Sequence, residues 1–222
     1  MNIELKDFEL AAERLKPILH HTELDHSATF SAMTGGDIYL KCENRQKTGS
    51  FKIRGASNKI AALMERGGLR AVVASSAGNH AQGVACAARK FGIPATIVMP
   101  KAAPIAKVQA TENYGARVVL AGDCYDDAYK RACEICEEEG ATFLHPYNDI
   151  EVIAGQGTLV HGAAALQHNA VHRDVLARAH HKDVLFLHLF NGHGHLSTVP
   201  QQGGGFGGKL HQALERVGGL AL

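Results

Sequence analysis

A lysine set among glycines and an aromatic residue is the strongest candidate for chemistry in this sequence of 222 residues. The stretch KTGSFKIRGA, residues 47–56, places Lys52 directly after Phe51. Apolar neighbours or nearby cations favour the neutral amine, which can form a Schiff base with a carbonyl compound. Phe51 offers an apolar wall, and Arg54 and Lys47 offer positive charge. The position alone does not exclude an ordinary solvated lysine at the start of a helix.

A second candidate is the stretch SSAGNHAQG, residues 75–83, which joins a predicted strand to a predicted helix. The N–H groups exposed at a helix start favour an anion, and Gly78 lets the backbone approach it closely. A carboxylate or a phosphate group would suit this loop. The alternative is a helix cap, which contributes about 1 kcal/mol and needs no ligand.

Both stretches follow strands in a pattern that alternates short apolar runs with amphipathic segments. The pattern predicts helices at 5–15, 55–67, 80–91, 104–115 and 125–140. It predicts strands at 37–43, 70–75, 93–100, 116–122 and 141–147. This alternation indicates an α/β fold with an open parallel sheet and helices on both faces. Ligands of such sheets bind at the carboxyl ends of the strands, where both candidate loops lie.

Composition excludes several classes of partner. Lys plus Arg number 23 and Asp plus Glu 22, so no net charge attracts nucleic acid or an anionic membrane. The N-terminus is charged, and no apolar run is long enough to span a bilayer. We therefore expect a cytoplasmic protein with no nucleic-acid or membrane partner.

The cysteines and histidines do not predict a metal site. Cys133 and Cys136 form a CxxC, the pattern of a redox pair or half a zinc site. Their flanks predict an amphipathic helix and no second CxxC exists, which favours reduced core cysteines. Nine of the 14 histidines fall in residues 161–222, with His180-His181 and HGH at 193–195 as candidate ligands. No carboxylate or cysteine stands at ligand spacing beside them, which favours incidental histidines.

The two candidate stretches together match one family. The run from Glu43 through Ala56 resembles the cofactor-lysine signature of the serine/threonine dehydratases, and ASSAGNHAQGVA resembles their substrate-carboxylate loop. GIPATIVMP, AKVQATENYGARVVL and GQGT at 155–158 resemble the threonine dehydratase branch. These are fold-type-II pyridoxal-phosphate enzymes, related to serine racemase and the tryptophan synthase β family. The resemblance covers about residues 5–158 and implies their α/β fold, with a second domain that is incomplete here.

The resemblance implies a role for individual residues. Lys52 matches the lysine that binds pyridoxal 5'-phosphate covalently and, once substrate displaces it, acts as the base at the substrate Cα. Phe51 matches the aromatic residue beside the cofactor ring, and Asn79 the side chain that hydrogen-bonds the cofactor 3′-oxygen. The loop that receives the substrate α-carboxylate corresponds to Ser76, Gly78, Asn79 and His80.

The implied reaction is β-elimination of water from threonine or serine, giving a 2-oxo acid and ammonia. Serine racemases of the family carry a second serine before the Gly-Asn-His, as the base on the opposite face of the cofactor. Ala77 stands there in this sequence and cannot carry a proton, which favours dehydration over racemisation. The resemblance also implies a small amino-acid substrate, a possible homodimer and a place in isoleucine biosynthesis.

The sequence departs from the family after about residue 158. The family's glycine-rich phosphate loop would fall at LARAHH, 176–181, and the nearest substitute is GGGFGG, 203–208, which could equally be a flexible segment.

We expect residues 1–52 to begin a larger cofactor domain, 53–153 to form a smaller α/β domain, and 154–222 to be a divergent remnant of the larger one. A shifted reading frame is one hypothesis for the change. The alternative function is an inert, truncated homologue that binds at most small anions or a partner.

Overall fold

Helices and strands alternate along most of the chain in the computed structural model, which describes residues 3–35, 38–164, 187–188 and 195–196. The helices are α1 (Leu5–Leu15), α2 (Ala28–Thr34), α3 (Lys52–Arg66), α4 (Asn79–Phe91), α5 (Ile105–Glu112), α6 (Tyr125–Glu139) and α7 (Ile150–Ala164). The strands are β1 (Leu24–His26), β2 (Tyr39–Lys41), β3 (Val72–Ser75), β4 (Ala95–Met99), β5 (Arg117–Leu120), β6 (Thr142–Phe143), β7 (Leu187–His188) and β8 (His195–Leu196). A short 3-10 helix spans Glu43–Arg45.

The central sheet is parallel throughout, with the strand order β5-β4-β3-β6. Strands β3, β4 and β5 follow one another outward, whereas β6 returns to the other side of β3. The predicted parallel α/β sheet is thereby confirmed. Strand β2 does not join it and pairs with β1 in an antiparallel ribbon, while β7 pairs with β8.

The two faces of the sheet bury alternate residues of β3. Val72 and Ala74 belong to one apolar core, formed with residues of α3 and α4. Val73 belongs to a second core, formed with Ala132 and Ile135 of α6. Successive side chains of a strand point to opposite faces, so a strand that is apolar at every position is covered by helices on both sides.

Glycines allow helix α7 to pack closely on its neighbours. A Cβ on Gly155 would lie 2.7 Å from the carbonyl oxygen of Arg54 and 2.8 Å from the Cα of Gly55. A Cβ on Gly157 would overlap the ring of Phe8 in α1. The two glycines of the GQGT motif are therefore packing residues, one against α3 and one against α1.

Two predicted boundaries differ from the structure in ways that affect the site. Helix α3 begins at Lys52 rather than at 55, so the lysine lies on the first helical turn and not on the loop before it. Strand β6 comprises only Thr142–Phe143 of the predicted 141–147. Pro146 lacks a backbone N–H and lies just beyond the strand, where the chain turns away.

Neither a membrane segment nor a metal cluster occurs in the part of the chain that the structure describes. Its helices there are too short or too polar to cross a membrane. No group of three or more His, Cys, Asp or Glu side chains is arranged to hold a metal ion within those residues. The predictions for His180-His181, for most of HGH at 193–195 and for GGGFGG at 203–208 lie outside the described residues.

Candidate active site

The candidate site lies where the loops after β3 and β6 meet. These strands are neighbours, and the chain order along the sheet reverses at this place. The crevice beyond the carboxyl ends of the strands at such a reversal is the usual ligand site of an open α/β sheet. Both predicted stretches contribute, because the second is the loop between β3 and α4 and the first begins α3, which packs beside α4.

Lys52 is half-buried at this edge. Its Nζ donates a hydrogen bond to the carbonyl oxygen of Pro146, 3.1 Å away, in the segment after β6. The same Nζ lies 5.3 Å from the centre of the Phe51 ring. Burial lowers the pKa of Lys52, because loss of water disfavours the ammonium form. The geometry thus provides the apolar wall that was predicted for Phe51.

Arg54 does not act as the predicted source of free positive charge. Its guanidinium binds the carboxylate of Glu43 through two hydrogen bonds, of 2.8 Å from Nε and 2.7 Å from Nη2. Its Nη1 donates to Thr158 Oγ1 at 3.2 Å, and Thr22 Oγ1 donates to Glu43 at 2.7 Å. The charge of Arg54 is therefore balanced locally. The neutral amine of Lys52 is favoured by burial instead.

The Glu43–Arg54 pair holds the start of α3 in place. Glu43 is only 1% exposed and Arg54 7%. Burial alone would raise the pKa of Glu43, but the hydrogen bonds and charge of Arg54, the Thr22 hydroxyl and the charge of Lys41 together lower it. A buried bidentate pair with its remaining atoms satisfied is costly to break. It joins the 3-10 helix, α3 and, through Thr158, α7.

The loop after β3 presents backbone groups at the start of α4. Ser76 Oγ accepts a hydrogen bond from the N–H of Gly78 at 3.2 Å. Gly78 immediately precedes α4, and no atom of the described residues lies within 4 Å of the place where its Cβ would be. Asn79, the first residue of α4, is partly exposed. The start of α4 is therefore accessible, and the anion predicted there stays a prediction.

His80 is buried and its side chain faces the segment after β6. Its Nε2 lies 3.0 Å from the carbonyl oxygen of Leu144, while its Nδ1 is buried with no partner among the described residues. Burial is the main cause that lowers the pKa of His80 to about 4. The imidazole is neutral at pH 7, and its side chain is not directed to solvent as part of the loop surface.

The absence of a side chain at Gly83 allows the two predicted stretches, residues 47–56 and 75–83, to pack closely. A Cβ on Gly83 of α4 would lie 3.0 Å from the carbonyl carbon of Lys52 and 3.1 Å from the amide nitrogen of Ile53. The backbone of α4 therefore passes directly beside the residue that carries the amine. The site that results contains a desolvated lysine, an aromatic ring and an open helix N-terminus, which are groups suited to a carbonyl compound and an anion.

The comparisons with known proteins agree with this class of site. The model of the pyridoxal-phosphate dependent enzyme family matches residues 15–177. The L-threonine ammonia-lyase of Thermotoga maritima is 59% identical over 157 residues, 71% of this chain and 39% of that protein. The catabolic L-threonine dehydratase TdcB of Staphylococcus aureus is 49% identical over 158 residues, 71% of this chain and 46% of that protein. A solved structure of maize serine racemase has 37% identity and a TM-score of 0.71, over 75% of this chain and 51% of the other.

The chain belongs to the family of pyridoxal-phosphate-dependent enzymes, and the predicted resemblance and fold class are confirmed. It spans less than half the length of these two curated relatives. The described residues fit the family's cofactor. Lys52 offers a desolvated amine to an aldehyde, Phe51 an aromatic surface and Gly78 open space beside the backbone. The buried Ser75 hydroxyl and His80 Nδ1 are polar atoms without partners in the described part of the chain.

Sequence reasoning missed three contacts of this site. It did not find the Pro146 carbonyl as the acceptor for Lys52, the pairing of Arg54 with Glu43, or the side-chain contact of His80. The signals were present but weak. Glu43 and Arg54 belong to the same motif, and the sequence HPY, 145–147, forms the end of the strand predicted at 141–147.

Proposed function

We propose that this chain carries out the pyridoxal-phosphate-dependent elimination of water from L-threonine or L-serine, giving a 2-oxo acid and ammonia. The observation that carries the proposal is the desolvated amine of Lys52 on the first turn of α3, whose backbone packs against Gly83 of α4. The names of the similar relatives, an L-threonine ammonia-lyase and a catabolic L-threonine dehydratase, support the same substrate class.

In this proposal Lys52 has two tasks. Its neutral amine would hold the cofactor through the cofactor's aldehyde group, and the same amine would remove the proton from the substrate Cα. The bound cofactor supplies an electron sink that stabilises negative charge at Cα. Phe51 lies beside Lys52 and would lie against the cofactor ring. In the same proposal, Asn79 would donate a hydrogen bond to the 3′-oxygen of the cofactor.

The substrate carboxylate would bind to the loop formed by Ser76, Gly78, Asn79 and His80. The open space at Gly78 and the exposed start of α4 support this assignment, because helix N–H groups and the helix dipole favour an anion. His80 would contribute its backbone N–H, since its ring is buried against Leu144. Ala77, which stands between Ser76 and Gly78, has no side-chain group that can donate or accept a proton, and this supports elimination over racemisation.

Several finer features remain predictions from the resemblance. These are the domain division at 1–52, 53–153 and 154–222, a homodimer, a cytoplasmic location and the role of GGGFGG at 203–208 as the phosphate loop. Isoleucine biosynthesis is also a prediction, and the TdcB relative is named a catabolic enzyme. The proposed reaction is the same whether the enzyme serves biosynthesis or catabolism.

The first test is covalent attachment of the cofactor to Lys52. The full chain is mixed with pyridoxal 5'-phosphate, reduced with borohydride and digested, and the modified lysine is located by mass spectrometry. We expect one reduced adduct, on Lys52, and formation of 2-oxobutanoate when L-threonine is supplied before reduction. The Lys52→Ala variant should show neither, because it has no amine to bind the aldehyde.

Lys130→Ala is the matched control, since Lys130 is an exposed lysine on α6. That variant should retain both the adduct and the product. An adduct spread over surface lysines, or one unaffected by Lys52→Ala, would contradict the proposal. The chain would then be better described as an inert homologue that binds small anions or a partner.

A further inference from the structure

The resting partner of the Lys52 amine is a backbone carbonyl rather than a side chain. Nζ donates to the carbonyl oxygen of Pro146 at 3.1 Å. A carbonyl accepts a hydrogen bond from an ammonium and from a neutral amine alike. The contact can therefore orient Lys52 in both protonation states through which a base passes.

One side of Pro146 is held by His80. The ring nitrogen Nε2 lies 3.0 Å from the carbonyl oxygen of Leu144. A carbonyl can only accept, so the neutral imidazole carries its proton on Nε2 and donates it there. The imidazole is 3% exposed, which leaves it little freedom to move. The charged or titratable groups that act on it are Lys52 and His145.

The other side of Pro146 is held by His145. Its Nδ1 accepts hydrogen bonds from the backbone N–H of Tyr147 at 3.2 Å and of Asn148 at 2.8 Å. These bonds close a turn directly after the proline. Two imidazoles therefore fix the backbone on either side of the carbonyl that receives Lys52.

We propose that His80 is a positioning residue for Lys52. Its imidazole, acting with His145, holds the segment 144–148 so that the Pro146 carbonyl keeps the Lys52 amine at the carboxyl edge of the sheet. This inference rests on the proposed function, in which Lys52 is the reacting group. The His80 ring would hold the segment 144–148, whereas the backbone N–H of His80 would bind the substrate carboxylate.

The test measures the reactivity of Lys52 in the full chain, after hydroxylamine treatment and dialysis to remove any bound carbonyl compound. Lysines are methylated with formaldehyde and borohydride over a range of pH, and the rate at Lys52 is followed by mass spectrometry. Lys130 in the same sample serves as the internal standard for the reagent. Since only the neutral amine reacts, the pH midpoint of the Lys52 rate reports its environment.

Two substitutions of His80 distinguish the effect of its hydrogen bond from the effect of its side-chain volume. His80→Leu fills the space but donates no hydrogen bond, so the segment loosens, water reaches Lys52 and its midpoint moves upward by about one pH unit. His80→Gln restores an N–H donor and should keep the midpoint of the unsubstituted chain. A folded His80→Leu variant with an unchanged midpoint, or a shift that His80→Gln does not rescue, would overturn the proposal.

A second pair of variants acts on the same segment without disturbing the buried site. His145→Ala removes the acceptor of the turn and should shift the Lys52 midpoint in the same direction. Tyr147→Phe keeps the turn, since Tyr147 contributes its backbone N–H to it, and should leave the midpoint unchanged. If His80→Leu fails to fold, the proposal is tested by His145→Ala and Tyr147→Phe alone. Equal Lys52 midpoints in these two variants would overturn it.

The methylation experiment contains no pyridoxal phosphate. A chain that fails to bind the cofactor but shows the rescued shift would therefore contradict the proposed function and support the positioning role. The opposite result would retain the proposed function and exclude the positioning role of His80.

Discussion

At the scale of single residues, the environment of Lys52 is set by the residues that the fold brings around it. The cation that follows it in the motif, Arg54, is neutralised by Glu43 inside the fold. Burial disfavours the ammonium of Lys52 and the imidazolium of His80 alike. The same physical effect thus leaves more of the Lys52 amine in its neutral form and keeps the His80 imidazole an uncharged donor.

His80 makes stability depend on pH. The pKa of its imidazole is about 4 in the folded chain, against an ordinary value of 6.5. The unfolded chain therefore binds a proton between these values that the folded chain does not, and the free energy of unfolding falls as the pH falls from 6.5 to about 4. The loss amounts to roughly 3 kcal/mol, at about 1.4 kcal/mol for each pH unit.

Urea unfolding of the chain and of His80→Gln, at a series of pH values across this interval, measures the effect. The glutamine has no titratable group, so the difference in unfolding free energy between the two proteins should be constant above pH 6.5 and change steadily below it. A difference that stays constant over the whole interval would show that His80 titrates normally in the folded chain.

At the scale of elements, the site depends on how closely helices approach one another. Helix α4 passes α3 at Gly83, beside the backbone of Lys52, and α7 passes α3 at Gly55 and Gly155. The Glu43–Arg54 pair then ties α3 to the 3-10 helix and to Thr158 of α7. The lysine is therefore carried by a helix that is held on several sides.

Gly155→Ala tests the contact between α7 and α3. In an open helix position the change from glycine to alanine would stabilise by about 1 kcal/mol. At Gly155 the new methyl group would meet backbone atoms of Arg54 and Gly55 at 2.7 to 2.8 Å. Because backbone atoms yield little, we expect a net loss of about 1–3 kcal/mol in unfolding free energy. Thermal or urea unfolding of the variant measures this loss. A gain in stability would show that α7 and α3 can move apart to accept the methyl group.

At the scale of the whole molecule, the central sheet is covered on both faces by apolar contacts. Ile97 of β4 is 0% exposed and lies in the core shared with α4, whereas Ile105, the first residue of α5, is 75% exposed. The two isoleucines therefore provide a matched pair for measuring how much the buried core contributes.

Ile97→Ala should lower the free energy of unfolding by about 2–5 kcal/mol, because it removes buried methyl groups and leaves a cavity. Ile105→Ala deletes the same atoms from an exposed position and should change stability by less than about 0.5 kcal/mol. Urea denaturation of both variants under one set of conditions gives the comparison. Equal effects would mean that the core at β4 contributes little to the stability of the folded chain.

The amount that could be predicted from sequence varied along the chain. The runs around Val72 and Ile97 are apolar at nearly every position, which predicts strands buried on both faces, and the helices between them follow a clear amphipathic period. The start of α3 and the end of β6 were placed several residues away from their observed positions. Both are set by contacts with distant parts of the chain, which local periodicity does not record.

The sequence alone determined the family and the parallel α/β order and made Lys52 the candidate lysine, because these follow from local motifs and from the period of apolar residues. Only the tertiary structure decided the surroundings of that lysine. Arg54 is paired with Glu43, eleven positions earlier, and Lys52 meets a carbonyl 94 positions later. His80 reaches Leu144 across 64 positions. Such pairings depend on which strands become neighbours in the sheet, and so they form only when the whole chain has folded.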